Sequence, residues 1–238
     1  MTKRINMEPH TECAEGRRLL ALLKRDDVFA RLILDADEIC DIVPEARAMV
    51  GFDQCNPHHP YDAWVHTAHC VASAAPVPIL RLAMLMHDLG KPGTFYRTED
   101  AVGHFNRHEK RGEEIARGRL PSLGFDEDTV ETVAALVFRH DMRIAENEVG
   151  RLLNELGAEL FSLLLDVKEA DARSHDARYK NQQLARTETL RKIVKISCVE
   201  ADGCSIIALS NIEHRIDSVN VFGEPEKTIA LIGQLEED

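Results

Sequence analysis

The chain has 238 residues, 44% hydrophobic and 29% charged, the ordinary balance of a globular protein with material for one generous domain or two small ones. No apolar run approaches the roughly 20 residues of a bilayer span, and no apolar core follows the basic pair Lys3-Arg4, so no membrane partner and a cytoplasmic location are expected. A net charge of −12, from 41 acidic against 29 basic residues, disfavours a long nucleic-acid partner and favours a small substrate.

From Glu12 to Ala48, apolar residues recur at three- and four-residue steps (Leu19, Leu20, Leu22, Leu23; Val28, Phe29, Leu32, Ile33; Ile39, Ile42, Val43), which predicts two or three amphipathic helices. Asn56 to Asp62 is a proline-marked loop, with Asp62 the N-cap of a helix Ala63 to Ala75 that carries His66 and His69. Pro76 and Pro78 separate it from a second helix, Ile79 to His87. That apolar rod ends in His87-Asp88, with Gly90 and Pro92 as stop signals. Lys91 to Phe105 reads as a polar connector, followed by a helix from Arg107 to Arg119 that stops at Pro121. Asp126 caps a helix Glu127 to His140, and helices near Glu148 to Leu156 and Ala158 to Ser174 follow, the second with Asp171 at its tail. Asn181 to Val199 reads as a solvated helix; beyond it the pattern weakens to an apolar run at Ile206 to Leu209 and a tail helix, Glu226 to Leu235. Strand signals are nearly absent up to residue 180, so the class is all-α. Three regions are expected: N-terminal helices over 1–50, a core domain over 51–180 and a helical extension over 181–238.

Eleven histidines are many for this length, and seven lie between His58 and His108. His66, His87-Asp88 and Asp171 fall on three different predicted helices, so they can converge on one point. Imidazole and carboxylate donors without a thiolate suit a divalent ion such as Mn²⁺, Fe²⁺, Co²⁺, Ni²⁺ or Zn²⁺ in a hydrolytic rather than a structural site. The six cysteines form no CxxC pair and read as buried or idle thiols. No phosphate-cradling glycine loop, nucleophile elbow or redox cysteine pair is present.

The text Asn56-Pro57-His58-His59-Pro60-Tyr61-Asp62-Ala63-Trp64-Val65-His66-Thr67, then Leu85-Met86-His87-Asp88-Leu89-Gly90-Lys91-Pro92, then His104-Phe105 with Arg107-His108-Glu109, then Ala170-Asp171-Ala172-Arg173 resembles the HD-domain metal-dependent phosphohydrolases. Within them it is most similar to the HD-containing portion of the tRNA nucleotidyltransferase (CCA-adding enzyme) and poly(A) polymerase group, over roughly residues 15–175. The nucleotidyltransferase palm has no matching motif in the 50 or so residues before His58, so the chain looks like a free-standing HD domain and tRNA nucleotide addition is not carried over. The last 50 residues follow the family only loosely.

The resemblance implies an HD-domain helical bundle with a metal site in the core cleft over 51–180. His66, His87, Asp88 and Asp171 are implied as ligands of one ion, and a second ion would draw on histidines lying between Asp88 and Asp171. Of His104, His108 and His140, the last two are favoured because each ends a predicted helix. Asp88 would then bridge two ions and a metal-activated water would be the nucleophile. Lys91 could contact a phosphate oxygen, or serve merely as a helix-terminal cation; Arg107, Lys110, Arg111, Arg139 and Arg143 could add phosphate contacts. His69 competes with His66, and Asp166 with Asp171; sequence context favours His66 and Asp171. The implied function is a divalent-metal-dependent phosphohydrolase (a phosphomonoesterase, a 2′,3′-cyclic phosphodiesterase or a nucleotidase) acting on a small phosphorylated substrate, with a nucleotide favoured. The alternative is a non-catalytic RNA-binding or regulatory module on the same scaffold.

Overall fold

The nine residues Pro78–Met86 form a helix with no exposed face: every one of them is buried. Such a helix needs apolar partners on all sides, and the rest of the fold supplies them. In the computed structural model, which describes residues 4–200, the order is α1 (Ala14–Leu23), α2 (Val28–Leu34), α3 (Ala36–Ile42), a 3₁₀ turn (Pro44–Met49), α4 (Ala63–Ser73), α5 (Pro78–Met86), α6 (Lys91–Thr94), strands β1 (Phe95–Arg97) and β2 (Gly103–Phe105), α7 (His108–Ser122), α8 (Glu127–Arg139), a 3₁₀ turn (Glu146–Glu148), α9 (Val149–Leu156), α10 (Ala158–Ala172) and α11 (Ala177–Glu200). The class is all-α, and α1, α4, α7, α8 and α10 all pack against α5. No helix of the described residues is long and apolar enough to cross a membrane.

Local chemistry sets the phase of the helices that matter. Asp62 caps α4, its carboxylate accepting from the Trp64 and Val65 amides at 2.9 Å each. Trp64 Nε1 donates to the Leu32 carbonyl at 3.0 Å and ties α4 to α2. Asp126 caps α8 by accepting from Thr129 N at 2.7 Å. Arg81, in the middle of α5, is buried because its guanidinium donates to the Leu23 and Arg25 carbonyls at 2.7 and 2.8 Å, satisfying backbone groups left open at the end of α1.

The structure departs from the sequence reading in three places. The connector after Lys91 opens with α6 and continues into a short antiparallel hairpin that pairs Phe95 with Phe105 and Arg97 with Gly103. Phe52, Phe95 and Phe105 cluster beneath it, with ring centroids 5.2–6.3 Å apart, and provide the apolar anchor that a polar-looking segment needs. α7 runs through Pro121 to Ser122. So close to the helix end a proline removes one hydrogen bond only, and the Leu123 and Gly124 amides still bond back to Arg119 and Pro121. α11 is not simply solvated: Thr187, Leu190 and Ile193 make a buried seam against α9 and α10. The apolar run at Ile206 to Leu209 and the tail helix Glu226 to Leu235 lie outside the described residues.

Candidate metal centre

Three helices end at one place. α5 stops just before His87-Asp88, α8 stops just before His140, and Asp171 lies in the last turn of α10. Helix C-termini carry partial negative charge and leave their last carbonyls without intrahelical partners. The histidines use those carbonyls. His87 Nδ1 donates to Met84 O at 2.6 Å and His140 Nδ1 to Val137 O at 2.6 Å. His108, the first residue of α7, donates Nδ1 to Phe105 O at 2.9 Å, so the unanticipated hairpin positions it. In each ring the Nδ1 proton is thereby fixed, and the Nε2 lone pair is turned inward.

What these nitrogens meet is a pair of carboxylates. His66 Nε2 lies 3.1 Å from Asp171 Oδ1 and 3.5 Å from Asp88 Oδ2, and His87 Nε2 lies 3.2 Å from Asp88 Oδ2 and 3.9 Å from Asp171 Oδ1. On the other side of Asp88, His108 and His140 place Nε2 3.5 and 3.6 Å from Oδ1, and 3.1 Å from each other. The structure thus brings His66, His87, Asp88, Asp171, His108 and His140 into one buried cluster with two halves sharing Asp88. The side chains of His66, His87 and Asp88 are each 1% exposed, whereas Asp171 is 18% exposed, so the cluster meets solvent at Asp171.

Electrostatics keep His66, His108, Asp88 and Asp171 in ligating form. Burial pushes His66 down to about 4, helped by the Lys91 charge and opposed by Asp171. Burial and the neighbouring His140 also lower His108. Burial alone would raise Asp88, but His87 and Lys91 outweigh it and hold the carboxyl well below its usual range. Asp171 is likewise raised by burial and lowered further by its hydrogen bond from His66 and by His175. For His140, burial lowers the imidazole, but the facing Asp88 carboxylate wins and raises it.

The residues fit a metal ion by their unmet valences. His87 Nε2 and Asp88 Oδ1 are buried and make no hydrogen bond, while Asp88 Oδ2 meets the Lys91 ammonium at 2.7 Å. His108 and His140, both with Nδ1 engaged, point two Nε2 lone pairs at each other, which is repulsive unless a cation or proton joins them. Donors bound at about 2.0–2.3 Å to one ion stand roughly 3–4 Å apart, the spacing found in each half.

Lys91 is buried, with Nζ 2.7 Å from Asp88 Oδ2 and 2.8 Å from Gln54 Oε1, over the Phe105 ring. Gln54 was not anticipated; a glutamine in a loop gives no sequence signal for a lysine clamp. His69 is outside the cluster, stacked on Tyr61 and tilted against Phe29, and Asp166 is 2.5 Å from Arg191 Nη2. His104 sits on the hairpin against Tyr96 and Thr98. Arg111 and Arg139 are paired with Glu114 and Glu155, while Arg107, Lys110 and Arg143 are exposed and make no ion pair among the described residues. His58 pairs with Asp176, whereas His59 lies at the rim, its ring 5.0 Å from His66 and 4.4 Å from His175. Burial holds the His59 imidazole neutral, down to about 2. One thiol borders the cluster: Cys70, buried as expected of these cysteines and one turn after His66, has Sγ 3.4 Å from His66 Nε2 and 3.8 Å from Asp171 Oδ1.

Comparison with known proteins gives the same region. The HD domain family model matches residues 59–176. The CC-adding tRNA nucleotidyltransferase of Thermus thermophilus is 42% identical over 112 residues, covering 44% of this chain and 25% of that protein. The A-adding tRNA nucleotidyltransferase of Deinococcus radiodurans is 32% identical over 164 residues, 64% of this chain and 38% of that one. A bifunctional uridylyltransferase/uridylyl-removing enzyme of Caulobacter vibrioides is 30% identical over 162 residues, 59% of this chain and 16% of that one. The chain spans less than half the length of each of these relatives.

Proposed function

Residues 59–176 are an HD domain, and from that premise we propose that the chain is a divalent-metal-dependent phosphohydrolase acting on a small phosphorylated substrate, with nucleotides the first class to try. The observation that carries this reading is that Asp88, buried at the junction of the two half-sites, is faced by the Nε2 atoms of His66, His87, His108 and His140 at 3.2–3.6 Å. His66, His87, Asp88 and Asp171 would hold one ion; Asp88, His108 and His140 would hold a second. A divalent ion in such a site lowers the pKa of a bound water toward neutrality and draws charge from phosphoryl oxygens.

The chain's own residues do the rest. Asp88 presents one oxygen to each half, so it fixes their separation. Lys91 offsets the Asp88 charge at 2.7 Å and is the cation nearest to where phosphoryl oxygens would sit. Arg107, Lys110 and Arg143, lacking carboxylate partners among the described residues, are the arms available to phosphate, whereas Arg111 and Arg139 are occupied. Asp171 is the would-be ligand at the solvent-facing edge, where a substrate would enter.

The test is hydrolysis by the full chain reconstituted with Mn²⁺, Co²⁺ or Ni²⁺ across a phosphomonoester, a phosphodiester, a 2′,3′-cyclic nucleotide and a nucleotide panel, beside Asp88→Asn. Turnover of one class that is lost in the variant supports the proposal. Intact substrates with every metal would leave a non-catalytic RNA-binding or regulatory role on the HD scaffold as the better reading.

A further inference from the structure

The cluster contains one donor that neither the motif nor the proposed chemistry uses. Cys70 follows His66 by four residues on α4, and residues four apart on a helix share a face. The Asp62 cap sets the phase of α4 so that this face is the buried one, and both side chains enter the cluster from the same helix. Cys70 is fully buried. Its Sγ is within sulfur hydrogen-bond range of His66 Nε2 at 3.4 Å and Asp171 Oδ1 at 3.8 Å, and the donor atoms of His66, Cys70, His87 and Asp171 all lie within 4.8 Å of one another, a spacing that ligands of a single ion also keep. A second observation points the same way. His87 Nε2, which faces this half of the site, is buried and makes no hydrogen bond; with its Nδ1 proton given to Met84 O, it turns a lone pair toward the Asp88 carboxylate 3.2 Å away, an arrangement that a cation relieves.

We propose that Cys70 is a thiolate ligand of the ion held by His66, His87 and Asp171. This rests on the metal-centre reading above and adds a donor of a different class to it. The two halves then differ in kind. The half built from Asp88 Oδ1, His108 and His140 offers nitrogen and oxygen alone and accepts a hard or borderline cation. The half with Cys70 prefers a thiophilic divalent cation, Zn²⁺, Co²⁺ or Cd²⁺ over Mn²⁺ or Mg²⁺. On ligation the Cys70 S–H bond breaks, its proton passes to water, and a sulfur lone pair forms the bond to the cation; no electron is transferred and no oxidant is needed.

The experiment is titration of the metal-free full chain with Co²⁺ alone, followed by absorption spectroscopy and equilibrium dialysis, for the wild type, Cys70→Ser and Cys55→Ser. A thiolate bound to Co²⁺ gives an intense near-ultraviolet sulfur-to-metal charge-transfer band, whereas nitrogen and oxygen ligands give only the weak visible bands. The expected result is the charge-transfer band in the wild type and in Cys55→Ser, and its loss in Cys70→Ser, which keeps the visible bands because its remaining ligands still bind Co²⁺. Co²⁺ bound by dialysis, with visible bands but no charge-transfer band in the wild type, would overturn the Cys70 assignment and leave the metal centre standing. A charge-transfer band that survives in Cys70→Ser would overturn it as well. Failure of the wild type to bind Co²⁺ at all would remove the metal centre and this proposal together.

Discussion

Gly90→Ala tests how the turn after His87-Asp88 seats against α7. A Cβ at this position would stand 2.1 Å from the His108 carbonyl oxygen, 2.8 Å from Gly112 N and 3.0 Å from Arg111 Cβ. Ordinary carbon-to-oxygen contact is about 3.3 Å, so the two backbones would have to part by roughly 1 Å. Gly90 has ordinary helical angles (φ −77°, ψ −18°), so the clash is the whole effect. Overpacking of this kind costs about 1–3 kcal/mol, and backbone contact puts it near the upper end. For a chain of this size that is a fall in Tm of about 6–12 °C, taking 2–4 °C per kcal/mol. The same displacement separates Asp88 Oδ1 from His108 Nε2, now 3.5 Å apart. The affinity of the second half-site should then fall by about tenfold or more, because ligand positions tolerate only about 0.2 Å. Thermal melting with and without added Mn²⁺ measures both effects. Gly93→Ala, three residues on with nothing within 4 Å of its Cβ, is the control and should be neutral or up to about 1 kcal/mol stabilising. Equal melting temperatures for the two variants would refute the close-approach argument.

Three further outcomes are expected. Adding Mn²⁺ or Co²⁺ at a hundredfold excess over Kd should stabilise the metal-free chain by about 2.7 kcal/mol, or roughly 5–11 °C in Tm; no shift in calorimetry with either ion would count against a preformed site. For the metal-free chain, His66 titrates at about 4 when folded against 6.5 in the unfolded chain, so the unfolded state takes up a proton first as the pH falls. Its contribution is complete above about pH 6.5 and is lost toward pH 4, by about 3 kcal/mol at 1.36 kcal/mol per pH unit. His140, raised by Asp88, has the opposite sign and offsets part of this by favouring the folded state below pH 6.5. Urea unfolding between pH 4 and 8 reads the balance, and stability that is flat or rises toward pH 4 would contradict it. Finally, alanine at Arg107, Lys110 or Arg143 should raise KM by several-fold, with each contact worth about 1 kcal/mol, while Arg111→Ala and Arg139→Ala should leave it nearly unchanged. Steady-state kinetics on whichever substrate is turned over would show the opposite ranking if the paired arginines were the phosphate contacts.

The helices that carry the cluster were legible because caps and breakers punctuate them. Asp62 and Asp126 sit at their N-termini, and Pro78, Gly90 and Pro92 bracket the buried rod. The order of His66, His87-Asp88 and Asp171 was legible through resemblance, since no local rule says which histidine on a helix faces inward. Cys70 lay one turn from His66 on the same face, yet a cysteine without a paired CxxC partner gave no reason to weigh it. The hairpin at Phe95 to Phe105 is not legible in the sequence because its three-residue strands are stabilised by Phe52, some forty residues earlier. The pairing of Arg139 with Glu155 and of Lys91 with Gln54 is long-range as well, so which cations are free for a substrate follows only from the fold.

The central claim is that the buried His and Asp cluster is a metal centre, and equilibrium dialysis of the metal-free full chain against Mn²⁺ and, separately, Zn²⁺ tests it most directly, with Asp88→Asn run beside it and folding checked by circular dichroism. The account predicts one or two ions bound per wild-type chain and a loss of at least one of them in Asp88→Asn. Equal binding by the two folded proteins, or none by either, would contradict it.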